Sequence, residues 1–148
     1  MCGILGQINF RKNMNINTEL FKQSLDLQAH RGPDDYDIYQ EKGIVLGHRR
    51  LSIIDLDSHA KQPMISQCGN YIVVFNGEIY NYQEIKVELL KKEYKFYTSS
   101  DTEVLLNAFI EHGIDCIQQF IGMFAFAVYD KKANETFIVR DRLGVKPL

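Results

Sequence analysis

Cys2 is followed by Gly3, and an initiator methionine is normally removed ahead of a small residue. With Met1 gone, Cys2 carries a thiol and a free α-amine on one residue, the amine with a pKa of about 7.7–8.0. Nucleophile and base, usually shared between a Cys and a His, can then sit on a single amino acid. The alternative is structural, because free cysteine is among the most buried residue types and fits the start of a first strand. A thiol attacking a carbonyl also needs donors for the developing oxyanion and groups that hold the substrate. Asn76-Gly77 offers a side-chain amide and a backbone N–H that can converge on one oxygen; the same dipeptide also reads as a plain hairpin turn. Asp101 suits the first turn of a helix through the macrodipole, and it can equally meet a ligand ammonium. Of Arg49 and Arg50 only one can face a given pocket, because neighbouring strand residues point to opposite faces. A guanidinium there would match a carboxylate in bidentate fashion, or else serve as solvated surface charge.

These residues need a scaffold. Residues 2–10 alternate, with Cys2, Ile4, Ile8 and Phe10 on one side, which predicts a strand with Cys2 at its first position. Asn17 or Thr18 caps a helix carrying Leu20, Phe21 and Leu25 and ending near Ala29. His30-Arg31-Gly32-Pro33-Asp34 signals a turn, and 35–40, 44–48 and 51–55 read as short strands. A β-rich run from Tyr71 to Phe75 is expected to halt at Asn76-Gly77. A helix over 82–92 buries Ile85, Leu89 and Leu90. The next begins with Ser100-Asp101-Thr102-Glu103, a capping box, runs through Val104, Leu105, Ala108 and Phe109, and stops at Gly113. A short helix near 115–119 leads to paired strands over 122–130 and 135–140, both expected to be buried on both faces. Strands grouped with helices, without strict alternation, predict an α+β layered fold with mainly antiparallel sheets.

The composition excludes several classes. A chain of 148 residues with 45% hydrophobic and 24% charged residues reads as one ordinary globular domain. A net charge of −2 gives no footprint for nucleic acid or an anionic membrane. No apolar run approaches the roughly 18 residues of a membrane span, and the basic Arg11 and Lys12 follow the apolar stretch, the reverse of a signal peptide. Cys2, Cys68 and Cys116 are odd in number and form no CxxC pair, which predicts a reducing, cytoplasmic setting. The four histidines lack metal-ligand spacing, so no metal is expected.

Seven motifs occur in order: Met1-Cys2-Gly3-Ile4; His30 to Asp34; Gly47-His48-Arg49-Arg50-Leu51-Ser52-Ile53-Ile54-Asp55; Phe75-Asn76-Gly77-Glu78-Ile79-Tyr80-Asn81-Tyr82; Ser100 to Glu103; Gly122 to Ala127; and Arg140 to Leu148. Together they resemble the glutaminase domain of glutamine-hydrolysing asparagine synthetases, class II amidotransferases of the N-terminal-nucleophile hydrolase type. The Leu51-Ser52-Ile53-Ile54-Asp55 segment distinguishes this pattern from glucosamine-phosphate synthase and the purine amidophosphoribosyltransferase, which carry a tryptophan- or tyrosine-containing segment there.

The resemblance implies a four-layer αββα sandwich. It implies Cys2 as nucleophile with its α-amine as base, and Asn76 and Gly77 as the oxyanion hole. Arg50 would grip the glutamine α-carboxylate and Asp101 the α-ammonium, with Leu51, Ser52, Ile53, Ile54 and Glu78 completing the pocket. Arg49 stands where relatives often carry an acidic residue, and is expected to face away from the substrate.

Family members continue into a synthetase domain that uses ATP and Mg to activate a carboxylate and receives the ammonia. No phosphate-cradling loop occurs in this sequence, so no cofactor is expected here. The expected organisation is a glutaminase domain over 1–148, incomplete at its C-terminal end, serving a synthetase domain in cis or in trans, with a homodimer as a further option. The competing expectation is a non-catalytic remnant or interaction module that keeps the fold.

Overall fold

The alternating N-terminal segment forms strand β1 (Gly3–Ile8), and Cys2 immediately precedes it. The computed structural model describes residues 2–10, 16–51 and 61–148. Helix α1 (Thr18–Asp26) follows, with the Asn17 side chain accepting from the Leu20 N–H. Strands β2 (Asp35–Glu41) and β3 (Ile44–Arg50) come next, and β1–β3–β2 is the order of the first antiparallel sheet. The second antiparallel sheet has the order β4–β5–β6–β7, from Met64–Ile65, Tyr71–Ile79, Gly122–Asp130 and Glu135–Arg140. Between β5 and β6 lie α2 (Tyr82–Lys91), α3 (Asp101–His112) and a 3-10 helix (Gly113–Gln118).

Side-chain alternation sorts the strands into layers. On the outer face of the first sheet, Val45, Leu5 and Ile38 pack with Ile16 and Phe21 of the α1 region. Its inner face sends Ile44 and Leu46 against Ile72, Val74, Ala127 and Tyr129 of the second sheet. The outer face of the second sheet, with Val73, Phe75, Phe124, Phe126 and Val128, packs on Ile85 and Leu89 of α2 and Val104, Leu105, Ala108 and Phe109 of α3. The order is helix, sheet, sheet, helix, the αββα sandwich that the motifs implied. The two polar ends of β3 and β5 meet at one end of the layer between the sheets.

Several expectations are corrected. Strand β5 does not halt at Asn76-Gly77 but runs straight through it, Asn76 pairing with Ala125 and Gly77 with Phe124. Gly77 is required for close approach rather than for a turn: a Cβ there would lie 2.3 Å from the Met123 carbonyl oxygen and 2.7 Å from the Phe124 Cα. Glu103 does not close the capping box on Ser100. Ser100 accepts from the Glu103 N–H, but the Glu103 carboxylate turns to the Tyr97 and Thr98 N–H groups. Helix α1 stops at Asp26 rather than near Ala29. Leu20 and Leu90 are exposed, because each sits one residue off the i, i+4 stripe of Phe21 and Leu25 or Ile85 and Leu89. Strand β6 is buried on both faces, but β7 is an edge strand, and Ile138 on its inner face is 60% exposed. The strand expected over 51–55 lies almost wholly outside the described residues.

Candidate active site

The N-terminus reaches the site through sheet register. Gly3 pairs with Arg49, so the next step back sets Cys2 beside Arg50. The half-buried Cys2 thiol meets Leu51 twice: the Leu51 N–H donates to Sγ at 3.4 Å, and the thiol faces the Leu51 carbonyl oxygen at 3.7 Å. Behind it, the Arg31 Nε–H donates to the Cys2 carbonyl oxygen at 3.2 Å. The turn that carries Arg31 is held tightly, since a Cβ on Gly32 would lie 2.3 Å from the Arg49 backbone and the Asp34 N–H donates to the Arg50 carbonyl.

Arg49 and Arg50 separate as strand parity requires. Arg49 turns outward, pairing with Asp26 of α1 and lying 4.7 Å over the Tyr36 ring. Arg50 shares the inner face with Leu46 and His48 and is buried. His48 bridges the two sheets: its Nε2–H donates to the Phe75 carbonyl oxygen at 3.2 Å. Burial pushes its pKa down to about 4, against the raising effect of the Phe75 carbonyl and with a further lowering from Arg50. Its Nδ1 is buried with no hydrogen-bond partner among the described residues.

Strand β5 presents the next group. Asn76 is 3% exposed, and its side-chain amide makes no hydrogen bond among the described residues. The antiparallel pattern directs the N–H groups of Phe75, Gly77 and Ile79 to the edge away from β6. The Phe75 N–H donates to Gln62 Oε1 at 2.6 Å, and the Ile79 N–H to Asp101 Oδ2 at 3.1 Å. The Gly77 N–H lies between them, and no described residue accepts from it. Asp101, the first residue of α3, is buried, and burial pushes its carboxyl up to about 6, with Glu78 adding to the rise and the Ile79 and Thr102 N–H groups opposing it.

Cys2, Arg50, Leu51, Asn76, Gly77, Glu78 and Asp101 therefore come from four separate stretches to one end of the layer between the sheets. Ser52, Ile53 and Ile54 lie outside the described residues. Gln62, His48, Thr102 and Arg31 join the site without having been singled out for it. His48 and Arg31 stood inside motifs, whereas a glutamine before Pro63 carries no recognisable signal. The other two thiols are elsewhere: Cys116 is fully buried and pushed up to about 12 by that burial, while Cys68 is exposed and lowered by the Ser66 hydroxyl.

An antiparallel two-sheet sandwich of this kind also occurs in the glutamine phosphoribosylpyrophosphate amidotransferase from B. subtilis solved with ADP and GMP. The two share a TM-score of 0.61 at 24% identity, over 72% of this chain and 25% of that one. Asparagine synthetase [glutamine-hydrolyzing] 3 of Bacillus subtilis is 40% identical over 99% of this chain. Asparagine synthetase B of Escherichia coli is 40% identical over 100% of it, and the putative asparagine synthetase 2 of Methanocaldococcus jannaschii is 42% identical over 99%. This chain spans between about a quarter and a third of those relatives, 24%, 26% and 31% of their lengths. The profile of the glutamine amidotransferase domain family matches residues 1–148. The chain belongs to that family, and its fold is that of the N-terminal-nucleophile hydrolases. Among the described residues, no helix is long and apolar enough to cross a membrane.

Proposed function

We propose that residues 1–148 form a glutaminase domain that converts L-glutamine to glutamate and ammonia through a thioester on Cys2. One observation carries the reading: the Cys2 thiol stands at the same end of the interlayer as the buried Asn76 and the Gly77 N–H, and no described residue hydrogen-bonds the Asn76 amide or accepts from that N–H. In this reading Met1 is removed and the freed α-amine takes the thiol proton. The sulfur bonds to the amide carbon of glutamine, and the oxyanion accepts from the Asn76 amide and the Gly77 N–H. The C–N bond then breaks, the amine returns its proton to the leaving nitrogen, and ammonia departs. Water attacks the thioester, giving glutamate and the free thiol.

Arg50 receives the α-carboxylate and Asp101 the α-ammonium. Leu51, Ser52, Ile53, Ile54 and Glu78 line the remainder. His48 is a poor base here, because burial holds it near 4 and its one proton is committed to the Phe75 carbonyl.

The synthetase names of the relatives support delivery of the ammonia to an ATP-dependent amidation of the asparagine synthetase type, in cis or in trans. ATP and Mg would serve that partner, and a reducing, cytoplasmic setting suits a reactive thiol. The deciding experiment measures ammonia release from glutamine by protein with Met1 removed, verified by intact mass. A glutamine-shaped electrophile should label Cys2 under the same conditions. No ammonia, or labelling mainly at Cys68 or Cys116, would overturn the reading in favour of a non-catalytic module.

A further inference from the structure

Strand β4 has only two residues and pairs with β5 only at Ile72 and Val73. Further along the same edge, both backbone groups of the buried Phe75 face the interior with no strand among the described residues beside them, a costly arrangement if left unpaired. Two side chains stand in for the strand: Gln62 Oε1 accepts from the Phe75 N–H at 2.6 Å, and His48 Nε2–H donates to the Phe75 carbonyl at 3.2 Å. Gln62 is itself buried, and its Nε2 donates to Thr102 Oγ1 at 3.1 Å. One side-chain amide thus joins the residue before Asn76 to the residue after Asp101.

We propose that Gln62 is a positioning residue for glutamine hydrolysis, holding the oxyanion strand in register with the N-terminus of α3 that carries the ammonium acceptor. The inference rests on the glutaminase reading above. The position needs an acceptor and a donor on one rigid planar group of this length. Glutamine supplies both, an ionised glutamate only the acceptor, and a methionine neither. Along β5 the edge is closed at Phe75 by Gln62 and His48 and at Ile79 by Asp101. Between them no described residue accepts from the Gly77 N–H, so the Gln62 bridge also fixes where that donor points.

Gln62→Met, Gln62→Glu and Thr102→Val in the full chain test this, with Ile72→Val at the apolar end of the same strand as the stability control. Gln62→Met should lower kcat by about tenfold or more and raise KM, since small misplacements of catalytic groups are costly. Thr102→Val cuts only the arm to α3, so KM should rise while kcat stays within about twofold. Gln62→Glu keeps the acceptor for Phe75, and the Thr102 hydroxyl can donate to its carboxylate, so it should recover most of the kcat lost in Gln62→Met and part of the KM. Ile72→Val should lower the melting temperature and change neither constant. A folded Gln62→Met with wild-type kcat and KM would overturn the proposal, as would kinetic losses that follow melting temperature across all four variants. If Gln62→Met does not fold, unchanged KM in Thr102→Val overturns it. Amide exchange separates this failure from failure of the function. If the wild-type chain releases no ammonia the glutaminase reading falls, whereas the bridge is still judged by faster exchange at the Phe75 amide in Gln62→Met than in wild type, with Gln62→Glu, which keeps the acceptor, close to wild type. Unaltered exchange there overturns the bridge alone.

Discussion

The two ends of the layer between the sheets are built from the same strands and behave in opposite ways. At one end Ile44 and Leu46 of β3 meet Ile72 and Val74 of β5 in a purely apolar contact. At the other, the same two strands bring His48, Arg50 and Asn76 into burial, and α3 adds Asp101. Burial at the first end is favourable at roughly 25 cal/mol per Å² of apolar surface. Burial at the second is costly for each polar group that lacks a partner, and His48 Nδ1 lacks one among the described residues. The apolar end holds the sheets together, and the polar end is held in place by it.

That contrast is broken most sharply at the proposed nucleophile. Cys2→Ala should leave no measurable ammonia release while its melting curve stays near that of the wild type. Leu46→Ala, in the apolar end, should cost about 2–5 kcal/mol in denaturant unfolding and leave the activity per folded molecule unchanged. A Leu46→Ala protein that stays folded yet inactive would erase the distinction between the ends.

A somewhat smaller effect is expected for Asn76→Ala: kcat lower by roughly 10²–10³, with KM little altered. Normal kcat with a raised KM would move Asn76 from oxyanion stabilisation to substrate positioning.

The arginine pair sharpens the comparison across a single strand. Losing one partner of a buried charge pair costs about 2–5 kcal/mol. Arg50→Ala should therefore raise KM for glutamine by roughly thirtyfold to five-thousandfold on that scale, whereas Arg49→Ala should alter only the docking of α1 through Asp26 and Tyr36. Equal KM values for the two variants would contradict the inward placement of Arg50.

The smallest effect is a pH signature. Asp101 is raised in the folded chain to about 6, so the folded state binds the extra proton, and its contribution to stability falls as pH rises through the window from about 4 to 6. His48 is lowered to about 4, so its contribution is present above about 6.5 and lost as pH falls towards 4. The two slopes oppose each other. Asp101→Asn should remove the first, leaving the unliganded protein more stable at pH 7 by about 1–3 kcal/mol, with a steeper acid loss from His48 alone. It should also weaken glutamine binding. Urea unfolding between pH 4 and 7 measures both slopes, and identical pH profiles for wild type and Asp101→Asn would refute the buried-carboxylate account.

Much of this was legible in the sequence for physical reasons that can be named. Period-two alternation marked β1, and the Ser100 cap marked the start of α3 within one residue. The parity of a strand was enough to divide Arg49 from Arg50. The Asn-Gly dipeptide misled, because glycine serves two ends that look alike in sequence: a positive φ at a turn, or room for a neighbouring backbone. Only the partner strand β6, distant in sequence, decides which. Gln62 was illegible for a related reason. Its role depends on β4 being two residues long, so that a side chain must finish the edge, and strand length at a sheet margin is set by tertiary packing rather than by local propensity.

The placement of the site at strand ends, with helices plastered on the outer faces, has a practical side. The C-terminal half of α2, where Glu88 and Lys91 pair in the open, lies across a full sheet from Cys2. A fluorophore or surface tether attached there can report on or immobilise the molecule without touching the end of the interlayer where the Cys2 thiol stands.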